Sequence, residues 1–377
     1  MIKPLTSLRF FAALAVYVDH LGTQTGTGGL GVVFFFILSG FIITHTYSDK
    51  ISSISFRSLA SIYLKRLGRI YPVHAFTLLL ALPLVFITGA DTSFITGVNN
   101  ALLIHSWYPS GSDFFSLNSV SWTLSVEWAF YLTFPFLIVG LKKTGVDRTA
   151  ASSLLLICLC IAFMTVFSYW VYQDKQVGSA TWLLRVSPIN IFIFLIGSGI
   201  AFYIRHEQKS QRYAVALATG MEILALALII AAYYWMEVKN GKATLNFDYV
   251  VVYLPVFGFC IYIFSIAKGL VSKALSNNIL VHLGNLSFSF YMLHLLAIIY
   301  ADRYWMPVVG ENGVAVNRLY LLVVIMIACE VVYRLIENPY RAYAKEKAKI
   351  ISQPNVPGVM DGHDTPSDLS DTKVRPG

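Results

Sequence analysis

Three ionisable residues stand inside stretches that are otherwise apolar enough to cross a bilayer: Arg9, His20 and Glu127. Such groups are costly in a membrane interior and are candidates for chemistry by default. The ordinary pKa of imidazole suits proton abstraction near neutral pH, so His20 could activate a hydroxyl for attack on an acyl group. It could also carry the acyl group itself. Arg9 and His20 are eleven residues apart. Eleven helical steps of about 100° return to within about 20° of the same direction, with a rise of about 16 Å. Both side chains are therefore expected on one face, near opposite ends of the same helix. Glu127, in the run SWTLSVEWAFY, needs a partner or a proton at that depth. It is expected to orient His20 or to hold an acceptor. His20 and Glu127 are the candidate catalytic residues. Each of the three also has a plainer reading: Arg9 reaching to lipid headgroups, His20 as an interfacial polar residue, Glu127 in a helix-packing hydrogen bond.

A basic run, YLKRLGRIYPVH, precedes and enters another apolar stretch. Arg66 and Arg69 are three residues apart and so are neighbours on one helical face. Paired guanidiniums can grip phosphates bidentately; anchoring on the cytoplasmic side is the plainer reading. Pro72 favours a helix start or a kink nearby. With Arg9, these two arginines form the candidate donor-binding set. The segment GGLGVVFFFILSGFIIT carries Ser39 and Gly40, small enough for close helix approach. Ser39, Trp122 and His294 are the candidate substrate-binding residues. The sequence holds no GxSxG, GxGxxG, HExxH or P-loop pattern, which leaves ordinary soluble hydrolase and nucleotide motifs aside.

These side chains must be positioned by membrane helices. Of the 377 residues, 56% are hydrophobic and only 13% charged, against about 25% charged in a soluble domain. The aromatic content of 15% fits interfacial belts and a packed interior. Ten spans are expected, near 5–22, 30–47, 70–90, 120–140, 151–172, 187–205, 214–236, 248–268, 279–300 and 316–336. Lys and Arg gather in alternate connections: Lys50 to Arg69, Lys142 to Arg148, Arg205 to Arg212, Lys268 and Lys273, and Arg341 to Lys349. The positive-inside rule then puts both termini in the cytoplasm. The net charge of +8 is accordingly read as membrane anchoring rather than as a nucleic-acid footprint. Residues 1–344 form the expected membrane domain. Residues 345–377, polar and rich in Pro, Gly, Ser and Asp toward their end, are expected to be a disordered cytoplasmic tail. The first span is expected to be retained, since no signal-cleavage site follows it. Cys158, Cys160, Cys260 and Cys329 lie in apolar runs without a CxxC pair and read as small buried hydrophobes rather than metal ligands. The connection 91–119, with Trp107, Tyr108, Asp113, Phe114 and Phe115, is long enough to line the mouth of a site.

The ordered series LTSLRFFAALAVYVDH, GVVFFFILSGFIIT, KRLGRIYPVH, SWTLSVEWAFYLTFP, LGNLSFSFYMLHLL and IENP resembles the acyltransferase-3 family of membrane O-acyltransferases over about residues 5–340. The family's Arg-x10-His signature falls on Arg9 and His20, its basic motif on Arg66, Arg69 and Pro72, its acidic position on Glu127, and its late histidine on His294. Many members have a second acidic residue after the first, where this chain has Trp128, so that residue's role does not carry over. Some members also bear an extracytoplasmic hydrolase-like domain; lacking one, this chain would act alone or with a separate partner. The resemblance implies transfer of an acyl group, most often acetyl, from cytoplasmic acyl-CoA to a hydroxyl of a cell-surface polysaccharide or its lipid-linked precursor. It implies a bacterial inner membrane and acetyl-CoA as a donor substrate rather than a resident cofactor. The competing class is transport of a lipid-linked glycan or a proton-coupled solute. Against it, no inverted repeat or matched pair of broken helices is visible.

Overall fold

The computed structural model of the chain describes residues 2–23, 27–51, 54–88, 93–108, 111–173, 187–207, 214–240, 247–305 and 314–352. Among the described residues the regular structure is all helical, without a strand. The helices are α1 (Lys3–Val18), α2 (Thr27–Tyr47), α3 (Phe56–Thr88), α4 (Phe94–Ala101), α5 (Gly111–Phe114), α6 (Trp122–Lys143), α7 (Ala150–Gln173), α8 (Ser187–Glu207), α9 (Val215–Asn240), α10 (Phe247–Ile266), α11 (Leu270–Leu275), α12 (Asn278–Tyr300), α13 (Val314–Val332) and α14 (Asn338–Ser352). A π-turn, Asp19–Thr23, follows α1, and another, Tyr333–Glu337, joins α13 to α14.

Eight helical stretches of the described residues are long and apolar enough to cross a membrane. They lie in α2, α3, α6, α7, α8, α9, α12 and the run from α13 into α14. The chain is a multi-pass membrane protein. The other two expected spans are not among these eight. Near 5–22, α1 stops at Val18 where the π-turn begins, and Gly22 within that turn adopts φ +84°. Near 248–268, the apolar helix Val251–Ile266 is shorter.

Two boundaries differ from the sequence reading. Helix α3 starts at Phe56, so Arg57, Lys65, Arg66 and Arg69 ride on the helix rather than in a loop, and Pro72 sits inside it. Residues 345–352, assigned to the tail by composition, form the end of α14, where Ala344 and Ala348 are buried. Residues 353–377 lie outside the described residues.

Helices α2, α8 and α12 are the most enclosed, and α7, α9 and α13 lie at the periphery. The peripheral helices expose Leu154, Leu155, Leu159, Ile223, Ile230 and Ile327. A soluble protein rarely shows such a continuous apolar surface; here it faces lipid. Cys158 belongs to this outer surface, contrary to its reading as buried, while Cys160, Cys260 and Cys329 are buried.

Inside, lipid-like residues give no preference for one helix partner over another, so small residues and polar contacts set the pairing. A Cβ placed on Gly40 of α2 would overlap the carbonyl of Phe194 on α8, and one on Gly197 of α8 would overlap the carbonyl of Ile37 on α2. The two backbones touch. Thr44 donates to Ser198 at 2.9 Å one turn along the same seam. Gly284 of α12 meets the Thr6 carbonyl of α1 in the same manner, and Ser7 of α1 donates to the Leu275 carbonyl at 2.6 Å.

Gly40→Ala should therefore lower stability by about 1–3 kcal/mol through overpacking. Gly140→Ala on α6, where an added Cβ meets nothing within 4 Å, should be neutral or stabilise by up to about 1 kcal/mol. Thermal unfolding of the two purified variants in one detergent measures the contrast.

Candidate active site

The close contacts draw charged residues from four helices and from the turn between α13 and α14 to one end of the bundle. Gly68 of α3 lies against the Cβ of Ala344 on α14, which lets α14 pack along α3 and places Arg341 beside Arg66 and Arg69. The resulting cavity, of about 320 Å³, is lined by Arg9, Arg66, Arg69 and Arg341 and by the carboxylates of Glu127 and Glu337. Ile2 of α1 and His45 and Thr46 of α2 also line it, so it opens where α1 begins and α2 ends. Four guanidiniums against two carboxylates leave an excess of two positive charges.

Each charge has identifiable support. Glu127 accepts from the Tyr131 hydroxyl at 3.0 Å and lies in the field of Arg69, Arg9 and Arg66. Glu337 is 2% exposed and accepts from Ser289 at 2.7 Å, with Arg69, Arg9 and Arg341 around it. The Arg66 guanidinium sits over the rings of Tyr47 at 5.0 Å and Tyr131 at 5.5 Å. Such contacts are strongest where water is excluded. Arg66 is only 8% exposed, yet its Nε has no hydrogen-bond partner among the described residues. The cavity thus presents an unused buried donor as well as surplus charge.

A smaller cavity, of about 50 Å³, shares Arg9, Phe35, Arg69 and Glu127 with the first. Its remaining walls include Val32, Phe36, Ile70, Leu124, Phe288 and Tyr291. The Tyr291 hydroxyl interacts with Thr123 at 3.1 Å, and its ring packs against His294 with centroids 5.8 Å apart.

Beyond Tyr291 lies a pair of imidazoles. His20 Nδ1 is 2.8 Å from the Val16 carbonyl and 3.3 Å from His294 Nε2. His294 Nδ1 is 2.7 Å from the Tyr291 carbonyl. A carbonyl only accepts, so both Nδ1 atoms carry hydrogen. His294 Nε2 then faces His20 as an acceptor, and His20 Nε2 is left with its lone pair. His294 is fully buried, stacked on Phe290.

Residues 93–108 and 111–121 lie over this end of α6. Trp107 donates to the Ser125 carbonyl at 2.9 Å, Tyr108 donates to Asp113 at 3.1 Å, and Phe114 is buried against Trp122. Burial, reinforced by His74, pushes the pKa of the His105 imidazole down to about 3, so His105 is neutral at physiological pH.

Arg9, Arg66, Arg69, Glu127 and Ser39 therefore share one cavity. Arg9 and His20 both face α12, as the eleven-residue spacing requires. Three candidates are arranged differently from one shared site. Glu127 does not orient His20: its carboxylate is held among arginines and Tyr131, and the partner facing His20 is His294. Trp122 does not line either cavity described here, because its ring packs edge-on against Phe36 and against Phe114. His294 lines neither cavity and touches the second histidine instead. Glu337, Arg341 and Tyr131 were missed. Tyr131 was legible as the i+4 neighbour of Glu127. Arg341 reads in sequence as a loop anchor, and Glu337 as a flanking charge in IENP, because only the π-turn directs it inward.

A helical membrane protein with a cationic cavity, a smaller cavity adjoining it and an imidazole pair beyond Tyr291 is suited to moving a group between an anionic donor and a hydroxyl. The chain belongs to the acyltransferase-3 family: residues 4–334 match that family's profile, described as an acyltransferase domain. It is an O-acyltransferase. It is 28% identical over 396 residues to the acyltransferase MdmB of Streptomyces mycarofaciens, covering 94% of this chain and 95% of that protein. It is 25% identical over 358 residues to the O-acetyltransferase OatA of Staphylococcus aureus, covering 89% of this chain but only 57% of OatA. No solved structure matches it.

Glu337→Ala would leave the four guanidiniums with Glu127 as the remaining counter-charge. Loss of one partner from a buried ionic group costs about 3–5 kcal/mol, less where cavity water screens it. A drop of about 2 kcal/mol or more in unfolding free energy is expected, and an unchanged melting temperature would show that Glu337 does not balance the cluster.

Proposed function

We propose that the protein transfers an acetyl group from cytoplasmic acetyl-CoA to a hydroxyl of a cell-surface polysaccharide or its lipid-linked precursor, in a bacterial inner membrane. The observation that carries this reading is the surplus of two guanidinium charges in a cavity that adjoins the smaller one; His20 lines neither, and Tyr291 stands between the smaller cavity and the imidazole pair. A dianionic donor matches that surplus, and guanidiniums grip phosphate oxygens bidentately. The positive-inside rule supports a cytoplasmic position for the cavity mouth, where acyl-CoA is available.

In this reading Arg66, Arg69 and Arg341 hold the phosphates, and the thioester arm passes Arg9. The acceptor approaches from the opposite end, where His20 lies. His20 Nε2 takes the hydroxyl proton as the acceptor oxygen attacks the thioester carbon. The carbon–oxygen bond forms, the carbon–sulfur bond breaks, and the departing thiolate receives a proton from the imidazolium. Arg9 faces the negative charge that develops on the carbonyl oxygen. His294 fixes the tautomer of His20. Tyr291 lines the smaller cavity and packs on His294, so its side chain must move for the thioester to reach His20.

Restoration of acyl esters on the surface glycan of a deletion host tests the reading. Wild type should restore them, and His20→Ala at matched membrane levels should lower them at least about a hundredfold. Equal restoration by both would make His20 structural. Altered glycan export without altered acylation would favour transport. Acyl-CoA binding should be lost in the double variant Arg66→Ala/Arg69→Ala and weakened in Arg69→Lys, which lacks the fork; binding unchanged in the double variant would overturn the donor assignment.

A further inference from the structure

The smaller cavity has a size and a shape that the phosphate-binding role of the larger one does not use. Its volume is about 50 Å³. At roughly 10–15 Å³ for each water-sized group, it has room for about three to five non-hydrogen atoms. It meets the larger cavity at Arg9, Phe35, Arg69 and Glu127, and its other walls are Val32, Phe36, Ile70, Leu124 and Phe288 with Thr123, Ser287 and Tyr291. These walls are part of the packed core. Phe36 is 2% exposed and meets Trp122 and Phe130 edge-on at 6.1 and 5.3 Å. Phe288 is 8% exposed. A close-packed wall cannot retreat by a methylene without strain.

From this geometry we infer that the smaller cavity is the acyl subsite and that its walls restrict the donor to acetyl-CoA. The inference rests on the acyl-CoA reading of the larger cavity. An acetyl group has three non-hydrogen atoms and fills the space, with its carbonyl at the guanidinium mouth and its methyl toward the apolar walls. A butyryl group has five, the upper limit of that room, so its last carbons press on the walls. A succinyl group has seven, which exceeds it, and its carboxylate would give up water for walls that are mostly apolar, with only the hydroxyls of Thr123, Ser287 and Tyr291 among them. Phe288 and Ile70 are the specificity-determining residues, because they line this cavity and not the larger one.

The test compares acetyl-, propionyl-, butyryl- and succinyl-CoA as donors to membranes containing the full-length protein, by thiol release and by mass spectrometry of the acylated product. One methylene accepted or rejected by a hydrophobic pocket changes kcat/KM by roughly 10–200-fold. Wild type should prefer acetyl- over butyryl-CoA by at least that lower bound. Phe288→Ala should narrow the ratio about tenfold by raising butyryl turnover. Ile70→Ala, a milder truncation, should narrow it in the same direction if Phe288→Ala does not fold. Val32→Phe, which fills the cavity, should lower acetyl turnover by about tenfold or more. Equal use of acetyl and butyryl by wild type, or an unchanged ratio in folded Phe288→Ala and Ile70→Ala, overturns the inference while leaving the donor reading standing. Absence of both CoA binding and acyl-CoA turnover brings down the donor reading and the inference together.

Discussion

Guanidinium groups buried among apolar helices are the constraint around which this bundle is arranged. A single arginine at bilayer depth is expensive, and four of them line one cavity. They are tolerable because two carboxylates, the Tyr47 and Tyr131 rings and cavity space replace part of the water they lost. Each compensating group sits on a different element from the arginine it faces. Glu127 comes from α6, Glu337 from the turn into α14, and Arg69 from α3. The glycine contacts follow from that requirement. Gly68 admits Ala344, and without that approach Glu337 and Arg341 would not reach the α3 arginines. Gly284 admits the backbone of α1, which carries Arg9 to the cavity and His20 to His294.

Much of this was legible in the sequence, for a physical reason. An ionisable residue inside an apolar stretch has few ways to be accommodated, so Arg9 and Glu127 announced an internal polar site. The helical period put Arg9 and His20 on a common face, and Arg66 and Arg69 together. What was not legible depended on departures from the regular period. Helix α1 ends in a π-turn, and α14 begins from another. The second turn brings Glu337 inward from a run of charges that reads as a cytoplasmic anchor. The partner of His20 was misassigned because proximity between α1 and α12, some 270 residues apart in the chain, leaves no mark in local spacing. Trp122 packs against Phe36 and Phe114, contacts between distant segments that likewise leave no mark in local spacing. The eight clear spans emerge from composition alone, while α1 fell short because its polar residues and its turn curtail it.

The site has two ends of different chemistry, and the division has a physical logic. The guanidinium end needs water and charge to receive an anion. The imidazole end is arranged differently, since the Val16 and Tyr291 carbonyls take up the Nδ1 hydrogens and leave Nε2 of His20 its lone pair. Joining the two directly would put cationic guanidiniums beside the imidazoles and oppose their protonation. The apolar walls of the smaller cavity and the ring of Tyr291 keep them apart, while the shared residues Arg9, Phe35, Arg69 and Glu127 maintain continuity.

The incomplete balance of charge is as informative as the charges themselves. A purely structural ion cluster gains most when its cations and anions match, because every surplus charge in a low-dielectric surrounding costs desolvation energy without a Coulombic return. Here two positive charges exceed the carboxylates, and the Nε of the most buried arginine faces no partner. Extra carboxylates at Ser39 or Asn285, which also line the cavity, would have closed the balance. Such an arrangement lowers the stability of the empty protein and is recovered when an anion enters, since a ligand that binds only the folded state stabilises it by mass action. In the proposed donor reading the arginines would therefore couple the fold to an anionic ligand: the same surplus that makes the bundle harder to assemble would give the cavity its affinity.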